Sequence, residues 1–127
     1  MSGEFGVSRL GQISMTAKDV DCATAFYRDV LGARFLFGFP NLSFFDLDGV
    51  RLMLTKPESA EFDHPGSVLY FRVDDLEGGH AALEERGVSF EQGPHKVADM
   101  VDHELWMAFF RDSEDNMLAL MAEKPKA

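Results

Sequence analysis

The sequence is short of cysteine and of long apolar runs, and each shortage excludes a class of protein. Cys22 is the single cysteine among 127 residues, so no internal disulfide can form and a reducing, cytoplasmic compartment is expected. Its neighbours favour a buried position on a helix rather than a reactive thiol. No run of about 18 apolar residues occurs, and the N-terminal stretch MSGEFGVSRLGQ lacks a signal-peptide core, so we expect no membrane association.

Basic side chains are also scarce. The sequence has 12 Lys and Arg and 22 Asp and Glu, which gives a net charge of −10. A phosphate backbone would be repelled, and no basic stripe offsets that field locally, so nucleic acid is not expected as a partner. The same field favours a cationic small molecule. With 46% hydrophobic and 27% charged residues, the composition is that of one globular domain spanning residues 1–127.

Alternation and helical spacing divide the chain into two similar halves. Residues 9–55 contain a strand, a helix of about three turns capped by Asp19, and three strands separated by turn signals. Residues 67–123 repeat the order, with Asp75 as the helix cap. Residues 56–66 carry two prolines and a glycine and are typical of a linker. The pattern predicts an α+β fold made of two tandem βαβββ modules.

Two acidic turns that run into apolar strands indicate that the halves arose by duplication. Residues 46–55 read DLDGVRLMLT and residues 112–121 read DSEDNMLALM, at an offset of 66. An offset of 56 aligns Ile13 with Leu69 in the first strands. The change of offset falls in loops, where insertions cost little, so an internal repeat is predicted.

Two segments resemble signatures of a known family. DVDCATAFYRDVLGARF and the closing FFRDSEDNMLALM resemble motifs of the vicinal oxygen chelate superfamily, which includes glyoxalase I, extradiol dioxygenases and the bleomycin and fosfomycin resistance proteins. The resemblance covers the chain from about Arg9 to Glu123. It implies two modules whose curved sheets enclose a U-shaped cavity, often completed in a homodimer. One fold hosts lyases, dioxygenases, transferases and binding proteins, so function does not follow from it.

In metal-using members of that family, the first and last strands of each module supply four ligands, usually His, Gln or Glu. Matched residue by residue, these positions fall on Gln12, Met53, Val68 and Ala119. Borderline or hard divalent ions need oxygen or imidazole donors, which a thioether, a valine and an alanine do not offer. We therefore expect no metal and no other cofactor, which argues against glyoxalase I, extradiol dioxygenase and fosfomycin-type transferase activity.

Alternation within the strands predicts an apolar, aromatic-lined cavity wall. A register shift of two would replace Gln12 and Val68 by Ser14 and Tyr70, and a Trp106 or Met107 side chain should face inward. The predicted ligand-binding residues are Gln12, Ser14, Met53, Val68, Tyr70, Trp106 and Ala119. Arg51 falls on the same strand face as Met53, and an arginine in a cavity requires a carboxylate partner or an anionic ligand.

Candidate acid–base groups lie in the second half. His95 and His103 bracket a predicted hairpin, so the two imidazoles could approach each other, with Glu104 beside His103. A histidine with a carboxylate neighbour can act as a general base, although a hydrogen-bonded pair without chemistry fits equally. Together with His64 of the linker, the two histidines could instead form a displaced metal site.

Three functional interpretations remain. The first is a metal-independent protein that binds an apolar or cationic small molecule, in the manner of bleomycin resistance proteins. The second is a lyase or isomerase of the same fold that uses His95, His103 or Glu104. The third is a regulatory or structural homodimer whose cavity is filled by its own phenylalanines.

Overall fold

The computed structural model describes residues 5–6, 8–57 and 66–126, which form two four-stranded sheets and the helices that cover them. The first sheet has the order β1-β4-β3-β2 and consists of β1 (Gln12–Thr16), β2 (Arg34–Phe39), β3 (Leu42–Leu47) and β4 (Val50–Thr55). The second has the order β5-β8-β7-β6 and consists of β5 (Leu69–Arg72), β6 (Phe90–Asp99), β7 (His103–Arg111) and β8 (Met117–Pro125). The predicted α+β fold of two βαβββ modules is confirmed. Most of the predicted linker, including His64, lies outside the described residues.

The two modules pair their strands in the same register. β1 runs parallel to β4, with Ile13 opposite Leu52, and β5 runs parallel to β8, with Leu69 opposite Leu118. These partners are the ones that the offsets of 56 and 66 relate. Leu52 and Leu118 are both fully buried, so the two acidic turns lead into equivalent core strands.

The helices begin where the sequence predicts. Helix α1 (Val20–Ala25) is capped by Asp19, whose carboxylate accepts the Cys22 N–H at 3.0 Å. Helix α2 (Leu76–Glu85) is capped in the same way by Asp75, through the Gly78 N–H at 3.0 Å. These contacts satisfy backbone donors that have no partner within the helix.

The first helix is not α-helical over the predicted three turns. After Ala25 it widens into a π-helical segment, Phe26–Val30, in which the Leu31 N–H donates to the Phe26 carbonyl at 3.0 Å. Such a segment shifts the positions of the following side chains. Hydrophobic spacing predicts a helix here but does not distinguish the two helical forms.

Cys22 is exposed on α1, so the prediction of a buried position is wrong. The buried residues of this helix are Val20, Ala23 and Thr24, and Tyr27 continues that face in the π-helical segment. Cys22 precedes Ala23 by one residue, about 100° around the helix axis, and therefore points away from the core.

Helix α2 lies unusually close to its sheet at Gly79. A β-carbon built at this residue would lie 3.3 Å from Cδ1 of Leu120 in β8. This close approach accounts for a glycine in the helix interior, where it lowers intrinsic helix stability by about 1 kcal/mol relative to alanine. In the described part of the chain, no helix is long and apolar enough to cross a membrane.

A buried hydrogen bond joins the two modules. The Tyr27 hydroxyl donates to Oδ2 of Asp112 at 2.7 Å, and the same carboxylate accepts the backbone N–H groups of Glu114 at 2.8 Å and Asn116 at 2.9 Å. Burial, together with the negative charge of Asp112, raises the pKa of Tyr27 far above its usual value. The hydroxyl therefore stays protonated and remains a donor.

We expect Tyr27→Phe to lower the free energy of unfolding by about 2 kcal/mol, because the buried Asp112 carboxylate loses a donor and cannot regain it from water. Urea denaturation followed by circular dichroism measures the change. Tyr70→Phe is the matched control, since Tyr70 is 49% exposed, and its effect should stay within about 0.5 kcal/mol. Equal effects of the two substitutions would contradict a role for this hydrogen bond.

The same pair predicts a dependence on alkaline pH. The unfolded chain releases the tyrosine proton near pH 10, whereas the raised pKa of Tyr27 means that the folded chain keeps it. The contribution of Tyr27 to stability is therefore complete below about pH 10 and is lost as the pH rises above that value. Urea titrations on either side of that pH should show a steeper loss of stability for the wild type than for Tyr27→Phe.

Candidate functional site

Each sheet has one face that packs on the helices and one that does not, here called its open face. Strand alternation assigns the residues, because those buried in the core alternate with the others. The open face of the first sheet carries Gln12, Ser14, Phe44, Arg51 and Met53. The open face of the second carries Tyr70, Arg72, Met107, Phe109, Ala119 and Met121.

Two side chains, Gln12 and Phe44, contact Arg51 on the open face of the first sheet. Its Nε donates to Oε1 of Gln12 at 2.8 Å, and its guanidinium carbon lies 5.4 Å from the centre of the Phe44 ring. The Gln12 amide nitrogen is 3.8 Å from Sδ of Met53. The first-module positions matched to the family's metal ligands are therefore neighbours, and the single amide oxygen among them is already bonded to a cation.

The two second-module positions matched to the metal ligands, Val68 and Ala119, differ chemically from those of the first module. Ala119 lies between Tyr70 of β5 and Phe109 of β7 in the strand register. The centres of those two rings are 6.3 Å apart, and Ala119 itself is fully buried. Val68 precedes β5 and is exposed. Neither residue has a side-chain lone pair to offer.

The residues at these four positions do not fit a divalent metal ion. A closed site needs several oxygen, nitrogen or sulfur donors, and thioether sulfur is suited to soft ions such as copper(I). Elsewhere among the described residues, no group of three or more His, Cys, Asp and Glu side chains is arranged to hold a metal. The displaced site predicted from His64, His95 and His103 depends in part on His64, which lies outside them.

His95 and His103 do not approach each other. His95 is opposite Met107 in the β6–β7 pairing. His103 is the first residue of β7, and at the spacing of residues in a strand it lies about 13 Å from Met107. The His95 Nδ1 lies 2.8 Å from the Gly93 carbonyl. His103 pairs instead with Asp102, at 2.7 Å between Nδ1 and Oδ1, and this hydrogen bond lowers the pKa of the Asp102 carboxyl.

Glu104 and Trp106 lie on the opposite face of β7 from His103, because successive side chains of a strand alternate. Ala108 and Phe110, on the Trp106 side, are fully buried, and Trp106 packs against that core. Its Nε1 donates to Oε1 of Glu104 at 2.9 Å. The predicted group of His95, His103 and Glu104 is therefore not assembled, and Met107 rather than Trp106 faces the open side.

A cavity of about 850 Å³ lies between the two modules. Apolar side chains from β1, β5 and the helices form most of its wall, including Ile13, Tyr27, Leu69, Phe71 and Leu83. At its rim lie charged residues of both signs: Asp46, Asp48, Arg72 and Arg86. Such a volume and lining are typical of small-molecule sites.

The lining of this cavity overlaps little with the predicted cavity wall. Of the seven predicted wall residues, Val68 and Tyr70 line it and the other five do not. β1 pairs with β4 and β5 pairs with β8, which makes β1 and β5 edge strands of their sheets. Core-facing residues of these edge strands, such as Leu69, therefore border the gap between the modules. No local sequence pattern encodes how closely these two edge strands approach.

Comparisons with known proteins agree on the fold. The sequence profile of the Glyoxalase/Bleomycin resistance protein/Dioxygenase superfamily matches residues 9–120. Lactoylglutathione lyase from Agrobacterium tumefaciens is similar in structure, with a TM-score of 0.77, 24% identity, and 92% of this chain and 95% of that chain covered. An integron cassette protein from the mobile metagenome of V. cholerae has a TM-score of 0.78 and 21% identity, over 93% and 97% of the two chains. The search of curated protein sequences gave no match.

We expect the purified protein to bind Zn²⁺, Ni²⁺ or Mn²⁺ at far below one ion per chain, because the matched positions offer one amide oxygen and no imidazole or carboxylate. Equilibrium dialysis followed by elemental analysis measures the stoichiometry. A value near one ion per chain would contradict the expectation.

Proposed function

The chain belongs to the Glyoxalase/Bleomycin resistance protein/Dioxygenase superfamily, and from that premise we propose that it is a small-molecule binding protein that uses no metal ion or other cofactor. The observation that carries the proposal is the largely apolar cavity of about 850 Å³ between the modules. Its volume lies within the range of pockets that enclose drug-sized ligands.

The lining supports an apolar ligand, with a cationic group favoured at the rim. Arg72 at the rim is neutralised by Glu123, at 3.1 Å, and Arg86 donates to the Val30 carbonyl at 2.8 Å. Asp48 is exposed at the same rim. The net charge of −10 adds long-range attraction for cations and repulsion for nucleic acid.

Binding without catalysis is supported by the positions of the candidate catalytic groups. Glu104 bonds to Trp106 on the core side of β7, whereas His103 lies on the other side. None of His95, His103 and Glu104 lines the cavity. A cytoplasmic location belongs to the same proposal, supported by the free, exposed thiol of Cys22, which a reducing compartment preserves.

A homodimer that forms through β2 completes the proposal. Phe35, Leu36, Phe37 and Phe39 of this strand are 38–60% exposed, and β2 is an edge of its sheet. An exposed apolar edge strand is a template for pairing with another chain. Two copies of the chain, each with a net charge of −10, repel one another. Burial of the apolar surface of β2 supplies the attraction that offsets this repulsion.

We expect Ala82→Phe to abolish binding of neutral and cationic apolar compounds such as indole and benzyltrimethylammonium, because Ala82 lines the cavity and a phenyl ring would fill part of it. A thermal-shift assay with isothermal titration calorimetry measures binding. Ala81→Phe is the matched control, since Ala81 is the adjacent exposed residue of α2, and should bind as the wild type does. Failure of every apolar or cationic compound to raise the melting temperature would overturn the proposal.

We expect the wild-type protein to have twice the mass of one chain in solution and Phe39→Lys to shift it towards the mass of one chain, because a lysine on each facing edge adds charge to an apolar contact. Light scattering after size-exclusion chromatography measures the mass. Val101→Lys removes a fully exposed apolar side chain outside β2 and should remain dimeric. A wild-type protein with the mass of one chain would contradict the dimer.

A further inference from the structure

We propose that Arg51 captures the carboxylate of an apolar or aromatic organic acid on the open face of the first sheet. This site is separate from the cavity between the modules, since neither Arg51 nor Gln12 lines that cavity. The proposal therefore does not depend on the function proposed above.

The Arg51 guanidinium is held in place from two sides. Gln12 accepts its Nε–H at 2.8 Å, and Phe44 presents a ring whose centre is 5.4 Å from its central carbon. Phe44 is supported in turn by Phe37, with ring centres 4.9 Å apart. A guanidinium fixed by an amide and an aromatic face loses less conformational freedom when it binds a ligand.

Arg51 also differs from other arginines of this acidic chain in its partners. Four others pair with carboxylates: Arg28 with Asp29, Arg34 with Asp46, Arg72 with Glu123 and Arg111 with Glu91. Within residues 8–57 and 66–126, Arg51 forms no such ion pair. Asp46 lies opposite it in the strand register, but its carboxylate accepts the Gly49 N–H at 3.0 Å and faces Arg34 at 3.8 Å.

The geometry identifies the ligand chemistry. Gln12 occupies Nε, which leaves the two terminal nitrogens of Arg51 for a ligand. Two parallel N–H donors match the two oxygens of a carboxylate. Phe44 lies against Arg51 and Met53 lies against Gln12, and both are partly buried, so the rest of the ligand meets an apolar surface and not further basic groups. A single cation of this kind suits a carboxylate monoanion better than a phosphate dianion.

Recognition at this site must act at short range. The chain carries a net charge of −10, whose repulsion of an anion is largely screened beyond about 10 Å and is felt at shorter distances, where direct contacts must offset it. Selectivity then arises from contact with the guanidinium together with burial of the apolar part. A small inorganic anion makes only the first of these contacts.

The test compares phenylacetate with its neutral analogue phenylacetamide on the full-length protein, by isothermal titration calorimetry and by ¹³C NMR of the methionine methyl groups. Phenylacetate should bind at millimolar concentration and shift the Met53 signal, identified with Met53→Leu. Phenylacetamide should bind roughly tenfold or more weakly, because the charged hydrogen bonds are lost. Inorganic phosphate should not compete.

Three variants make the test specific. Arg51→Met keeps an unbranched side chain without charge and should weaken phenylacetate binding roughly tenfold or more, whereas Arg51→Lys, which lacks the planar fork, should recover only part of the affinity. Arg28→Met removes an arginine from the π-helical segment and should leave binding unchanged. Ala82→Phe, which fills the other cavity, should also leave it unchanged.

Several results would overturn the proposal. They are equal binding of acid and amide, wild-type affinity in Arg51→Met, loss of affinity in Ala82→Phe, effective competition by phosphate, and no binding of phenylacetate at millimolar concentration. Because Arg51 is exposed, its variants should fold, and circular dichroism checks that they do.

Discussion

The arrangement of the two modules depends on the buried hydrogen bond between Tyr27 and Asp112. A carboxylate removed from water is stable only when donors surround it, and here the donors come from both modules, with Tyr27 on one side and the Glu114–Asn116 turn on the other. The bond also requires Tyr27 to point into the core from the π-helical segment. The bond therefore helps to fix the position of the first helix relative to the second sheet.

The second module repeats the construction of the first, yet the two open faces have diverged chemically. In the first module Arg51, Gln12 and Phe44 place a held cation beside an aromatic ring. In the second module Tyr70 and Phe109 cover a buried Ala119. The first and last strands of each module pair in the same register, so the difference at these positions lies in the side chains. The two modules share the strand pairing, and their open faces differ.

Features set by local spacing could be predicted from the sequence. The offsets of 56 and 66 related Ile13 to Leu69 and Leu52 to Leu118, which occupy equivalent strand pairs in the structure. Asp19 and Asp75 marked the helix starts. Alternation required that Trp106 and Met107 face opposite sides, but it gave no sign of which side faced the core.

Features that depend on packing between modules were not predictable in the same way. The exposure of Cys22 depends on which helix face meets the sheet. The cavity depends on how closely two edge strands approach, and no local pattern encodes that distance. Arg51 was placed correctly on its strand face, but its bond to Gln12 is a contact between strands that are distant in sequence.

The gap between β1 and β5 has an evolutionary consequence. In the described parts of the chain, the outer edges of β1 and β5 are not paired with another strand. Side chains that border the gap can therefore change size without breaking the pairing of either sheet. The hydrogen bonds of Tyr27 and Arg86 hold the two modules together. A new ligand preference can therefore arise by substitution along this seam, while each sheet keeps its strand pairing.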